Sequence, residues 1–182
     1  EVLDGFLDPG ETLAERRVRE CHASAEVLGL HRVEFLGYFD SGMKGTPENG
    51  APGSFWGADV EEAAARLAAI LREESADVLT VYDEIGGYGH PDHVQVHRVG
   101  VRAAELAGTP KVFQSTINRD AIIRISAAMP RGEGDVDVPD FSADESFGMP
   151  ESVITCAVDV TPRLEQKRAS MAAHANQISE TH

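Results

Sequence analysis

At 182 residues the chain has the length of one domain and can bury a core without disulfides or metal staples. Hydrophobic residues make up 42% and charged residues 26%, and no apolar run approaches the roughly 20 residues of a membrane span, which excludes a membrane-spanning protein. The 16 basic and 31 acidic residues leave a net charge of −15, which repels phosphate backbones and excludes nucleic acid as a partner. No signal-peptide pattern opens the sequence, and the expected compartment is the cytoplasm. Cys21 and Cys156 have neither a framework nor a zinc-finger spacing and read as buried thiols.

Residues 12–29 read as a helix, with Thr12 and Glu15 as a capping box, Val18, Cys21, Ala25 and Leu28 as an apolar stripe, and Gly29 just past its end. Residues 32–38 read as a short strand. The loop over 39–57 is rich in Gly and Pro and carries the only tryptophan, Trp56; its length marks it as functional. Residues 59–74 form a second amphipathic helix. Residues 78–82 form an apolar strand of the kind buried on both faces of a parallel sheet. A helix over 91–107, a strand over 112–117, a helix opened by Asn118, a polar loop over 131–150 and a strand over 153–160 follow. A last helix opens with Thr161 as N-cap, Pro162 at N1 and Glu165 as capping-box partner. Strands alternating with helices predict a single α/β domain with a largely parallel sheet and ligands bound beyond the carboxyl ends of its strands.

One strand-to-helix loop concentrates chemistry. Residues 83–93 hold three glycines, Tyr88, His90, Asp92 and His93. The glycines allow a sharp turn, and Pro91 opens the next helix, so His90 sits at its N-cap and His93 in its first turn. A metal ligand, a proton carrier, a carboxylate and a phenol therefore share one short loop. A single histidine here would read as a helix cap; the grouping favours a site. His97, four residues after His93, either forms a second metal pair with it or packs and hydrogen-bonds along the helix.

The run Gly86-Gly87-Tyr88-Gly89-His90-Pro91-Asp92-His93 resembles the second signature of the LmbE-like family of N-acetylglucosaminyl-phosphatidylinositol de-N-acetylases, which also includes the deacetylase and amidase of mycothiol metabolism. Arg17 with Glu20 before Leu28-Gly29, Asp40-Ser41-Gly42-Met43, Tyr82-Asp83 and the stretch from Val158 to His174 follow the family's order, so the resemblance covers nearly the whole chain. Ile85 departs from it, standing where relatives carry a polar residue.

The resemblance implies a Rossmann-like three-layer fold and one Zn2+ per complete domain, held by two histidines and an aspartate. His93 would be a ligand. Tyr88 and His90 would face the tetrahedral intermediate; His90, if protonated, would stabilise the oxyanion or protonate the amine, and Asp92 would orient a neighbouring imidazole. Arg17 and Asp40 would contact a small amino-sugar substrate. As ordinary residues, Arg17 would be an exposed helix position and Asp40 a cap on the Ser41-Gly42 turn. The family's other two ligands and its general base come from a His-Pro-Asp-Asp-Glu motif that these residues do not contain. The domain thus reads as truncated at both ends, lacking its N-terminal βαβ portion, with weak or no zinc expected. The implied activity is removal of an N-acetyl group from an N-acetylglucosamine-like conjugate. Amidase action on a thiol conjugate and a non-catalytic sugar-binding module are the alternatives, and a homo-oligomer is left open.

Overall fold

Thr12 opens the first helix as its sequence predicts. Thr12 Oγ1 accepts from the backbone N–H of Glu15 at 3.3 Å, and the Glu15 carboxylate accepts from the N–H of Thr12 at 2.8 Å, a capping box that fixes α1 at Leu13–Leu28. Gly29 closes α1 in the left-handed region, donating to the Ala25 and Glu26 carbonyls. These residues belong to a computed structural model that describes residues 7–128 and 146–175. The features expected of residues 1–2, 131–145 and 180–182 lie outside the described residues.

The chain divides into two compact units, Glu1–Phe35 with Ala157–His182, and Leu36–Cys156. In the first unit, α1 packs on a short C-terminal helix. Ser24 and Ser170 share a buried 2.7 Å hydrogen bond, and Gln166 Nε2 donates to the Val27 carbonyl. Ala25 is buried, but Val18 and Leu28 remain exposed and Cys21 is only half-buried. The expected capping box at Thr161 does not form. Asp159 Oδ1 accepts from the Thr161 N–H, a local side-chain turn that competes with helix initiation. A 3-10 turn over Thr161–Arg163 results, and the helix starts only at Leu164 without a side-chain cap.

The second unit holds the α/β core. Its elements are α2 (Val60–Glu73), β1 (Val78–Tyr82), α3 (Pro91–Ala107), β2 (Lys111–Ser115) and α4 (Arg119–Ala128); the C-terminal helix of the first unit, Leu164–Ala172, is α5. Asp59 caps α2 by accepting from the Glu62 N–H. Strands β1 and β2 pair in parallel, Val78 opposite Lys111 through Tyr82 opposite Ser115. Parallel neighbours need a crossover of a dozen or more residues, and α3 with its leading loop supplies it. The fold is α/β and Rossmann-like. Helix α2 packs on α3 through small side chains, Ala63, Ala64 and Ala68 against Val99 and Ala103, with Leu71 completing the buried cluster. Such faces let helices approach closely, and burying Leu71 and Val99 stabilises by about 1.5–3 kcal/mol each.

Three expectations need correction. The strands expected at 32–38 and 153–160 are absent: the first stretch is irregular, and the second is a 3-10 turn over Glu151–Val153 followed by irregular chain. A strand needs a paired neighbour, and among the described residues outside β1 and β2 only isolated bridges form, Phe39 with Ser54 and Asn118 with Met149. Cys156, which lies there, is exposed rather than buried. Strand β1 is also not covered on both sides: Leu79 and Val81 face the helical layer, while Val78 and Tyr82 are exposed.

Gly100 is where α3 crosses β1. A Cβ there would lie 2.4 Å from Val81 Cγ1. Val81 is buried and β-branched, so its side chain cannot swing aside. Replacing a helical glycine by alanine gains about 1 kcal/mol of helix propensity, whereas overpacking a core costs about 1–3 kcal/mol. Gly100→Ala is therefore expected to lower the denaturation midpoint, and Val81→Ala in the same chain to recover part of the loss. A stabilised Gly100→Ala protein in urea unfolding would contradict this packing.

Candidate active site

The site begins where β1 ends. Asp83 continues the ladder by donating its N–H to the Ser115 carbonyl at 3.0 Å. Its side chain is buried, 1% exposed, and accepts three hydrogen bonds. Oδ1 takes the N–H groups of Ile85 at 3.2 Å and Gly87 at 2.7 Å, and Oδ2 takes the hydroxyl of Thr116 at 2.5 Å. The chain then turns through Gly86, whose φ of +68° and missing side chain are both required: a Cβ would stand 2.8 Å from His93 Cβ and from Val94 N. Ile85, the departure from the family pattern, is half-buried and donates its N–H within this turn.

His93 lies in the first turn of α3, as predicted. Its Nδ1 sits 3.1 Å from the Gly86 carbonyl. A carbonyl only accepts, so Nδ1 carries a proton, and in the neutral ring Nε2 presents the lone pair. The ring is stacked on Tyr82 with centroids 4.0 Å apart and planes 5° from parallel. Partial cover of the ring, then the neighbouring Tyr88, raises the pKa of the Tyr82 phenol.

His90 is the N-cap of α3, and its Nδ1 accepts from the Asp92 N–H at 3.1 Å. Here the lone pair is on Nδ1, so the ring proton is on Nε2. The rings of His90 and His93 are 4.9 Å apart, and Tyr88 meets His93 edge-on at 5.0 Å and His90 at 6.3 Å.

Asp92 is placed differently from its expected role of orienting an imidazole. It meets His90 through its backbone, while Oδ2 accepts from the Ser41 N–H at 3.0 Å. Its Oδ1 is buried without a partner. Ser41 is fully buried and its Oγ accepts from the Trp56 N–H, so Asp92 ties the 39–57 loop to the histidine loop. Asp40, next to Ser41, is exposed and accepts from the Gly42 N–H at 2.7 Å, which is the turn-capping alternative. Phe55 packs on Tyr38 over the core, and Trp56 lies under the Arg98 guanidinium. His97 Nδ1 donates to the Tyr82 carbonyl, the hydrogen-bonding alternative for that residue. Arg17 belongs to the other unit and is exposed on α1, and His174 is half-buried there.

The structure thus brings together Tyr88, His90, Asp92 and His93, with Asp40 one residue from the contact to Asp92. Reasoning from sequence missed Asp83, Ser41 and Tyr82. For Asp83 a signal existed, a carboxylate at the end of an apolar strand three residues ahead of the Gly86-Gly87 pair. Among the described residues no group of three or more His, Cys, Asp or Glu side chains could hold a metal ion. His93 and His97 each have Nδ1 anchored on a backbone carbonyl, an orientation also found in metal-bound histidines.

An α/β frame thus carries a Gly-Gly-Tyr-Gly-His-Pro-Asp-His loop at the carboxyl end of a parallel strand. The chain belongs to the GlcNAc-PI de-N-acetylase family, PIG-L, whose model matches residues 4–104. It is 40% identical over 198 aligned residues to the 1D-myo-inositol 2-acetamido-2-deoxy-alpha-D-glucopyranoside deacetylase 1 of Catenulispora acidiphila, covering 98% of this chain and 61% of the relative. It is 43% identical to the deacetylase of the same description from Nocardiopsis dassonvillei, over 92% of this chain and 64% of that protein. The enzyme so described from Thermobifida fusca is 40% identical, over 92% and 63%. The chain therefore spans about three fifths of the length of these relatives.

Proposed function

We propose that this chain is the core of a hydrolase that removes the acetyl group from an N-acetylglucosaminyl inositol, releasing acetate and a free amino sugar. The observation that carries the proposal is the pair of complementary imidazoles. Side by side at the carboxyl end of β1, His93 presents a lone pair at Nε2 and His90 presents an N–H at Nε2. The relatives' names supply the substrate class and favour a deacetylase over a conjugate amidase.

Amide hydrolysis needs water delivered to the carbonyl carbon, stabilisation of the oxygen that gains charge, and a proton for the departing nitrogen. His93 would hold a zinc ion through Nε2, together with ligands from outside the described residues. The chemistry such an ion supplies when bound is Lewis-acid activation of water and of the carbonyl. His90 Nε2–H donates a hydrogen bond to the carbonyl oxygen as water adds, and the proton that the attacking water gives up passes to the nitrogen as the C–N bond breaks. Tyr88, exposed beside both rings, offers a phenol to the same oxygen. Asp92 holds Ser41 against the loop, and the neighbouring Asp40 carboxylate would bind sugar hydroxyls.

The test is turnover of 1D-myo-inositol 2-acetamido-2-deoxy-alpha-D-glucopyranoside by the full protein, followed through appearance of primary amine. Equal amounts of amine and acetate are expected. Binding of the glycoside without amine release would identify a sugar-binding module, and cleavage confined to larger thiol-conjugate amides would identify an amidase; either overturns the proposal.

A further inference from the structure

The Gly86–Gly87 peptide is held at both ends. Its N–H, on Gly87, donates to the buried Asp83 carboxylate at 2.7 Å, and its carbonyl, on Gly86, accepts from His93 Nδ1 at 3.1 Å. A peptide whose N–H is bound by a carboxylate is polarised, and its carbonyl becomes a stronger acceptor, by about 10–30% per bond. Hydrogen bonds to ionised groups are also roughly twice as strong as neutral ones. The remaining Asp83 contacts are the Ile85 N–H and the Thr116 hydroxyl, all donors, so the carboxylate is fully committed to this turn. It is buried 1% exposed and touches neither His90 nor Tyr88 by any hydrogen bond.

We infer that Asp83 is a positioning residue, which acts through the Gly86–Gly87 peptide to lock the His93 imidazole in its Nδ1–H tautomer and so keep Nε2 free. Metal-bound histidines are commonly oriented by a carboxylate directly; here a polarised peptide stands between the two. The inference deepens the proposed function, since it rests on His93 being the ligand, but its readout needs neither metal nor substrate.

Nitrogen-15 NMR of the imidazoles tests it in the metal-free chain. In the parent, His93 is expected as a single Nδ1–H tautomer with a slowly exchanging ring proton, coupled through its hydrogen bond to the Gly86 carbonyl, and with a protected, downfield Gly87 amide. Asp83→Asn keeps the size and one carbonyl acceptor but removes the charge, and the Nε2–H tautomer of His93 should then become populated. Thr116→Val, which also removes a hydrogen bond to Asp83 but leaves the peptide clamp in place, should leave the tautomer unchanged while lowering stability. A single Nδ1–H tautomer in folded Asp83→Asn would overturn the inference. If that variant does not fold, a His93 ring in the Nε2–H form in the parent, or an unprotected Gly87 amide, overturns it equally. In the active protein, Asp83→Asn should lower turnover roughly 10- to 100-fold, the scale of a lost outer partner of a ligand. Tautomer results as expected in a protein that deacetylates nothing would remove the proposed function and leave the positioning role standing.

Discussion

His93→Ala is expected to reduce deacetylation of the glucosaminyl inositol by more than the roughly 10- to 100-fold that follows loss of a residue merely supporting a ligand. The proposed ligand atom is Nε2, which the Gly86 carbonyl leaves free by taking the proton of Nδ1. Alanine also removes the ring stacked on Tyr82, so part of any loss would reflect a looser loop. Metal content separates the two causes. Loss of bound zinc with a nearly unchanged melting temperature identifies a ligand, and full zinc content with loss of activity shows that His93 serves the reaction in another way.

His90→Ala should behave differently, with zinc retained and turnover falling by roughly 10²- to 10³-fold, the scale of one lost oxyanion donor. The loss should fall mainly on kcat, because the donor matters most as charge develops on the oxygen. His90 is also the N-cap of α3, and its removal costs about 1 kcal/mol, a fall of about 2–4 °C in Tm for a domain of this size. His90→Asn isolates the chemistry. Asparagine is a good N-cap and should restore Tm without restoring turnover. Recovery of activity in His90→Asn would show that capping is the whole role of the residue.

The elements that sequence reasoning read correctly are those fixed by local chemistry. Thr12 with Glu15, Asp59, Pro91 and Gly108 set helix ends with their own side chains or backbone conformations, and the run Val78–Tyr82 is apolar enough to be a strand without reference to its partner. The strands expected near residues 35 and 156 failed because pairing is not a local property. Asp159 broke the expected capping box through a bond to its neighbour's N–H that is as short-range as the box itself.

The site divides in the same way. The residue types in the histidine loop, and the helix start that positions them, are visible in a stretch of eleven residues. The contact between Asp92 and Ser41 spans 51 positions and has no sequence signature. The tautomers of His90 and His93 are also invisible in sequence, because they depend on which backbone group each Nδ1 meets. Asp83 shows both sides: an acidic residue before two glycines is legible, but its reach to the Gly87 N–H depends on how the left-handed glycines aim that peptide.

The central claim is that the loop after β1 serves hydrolysis of an acetamide by water. A single turnover of the full protein on the glucosaminyl inositol in heavy-oxygen water tests it most directly, with mass spectrometry of both products. The account predicts label in the released acetate and none in the amino sugar or the inositol. Label at the sugar or the inositol, or an acetyl group transferred without label to another acceptor, would contradict it.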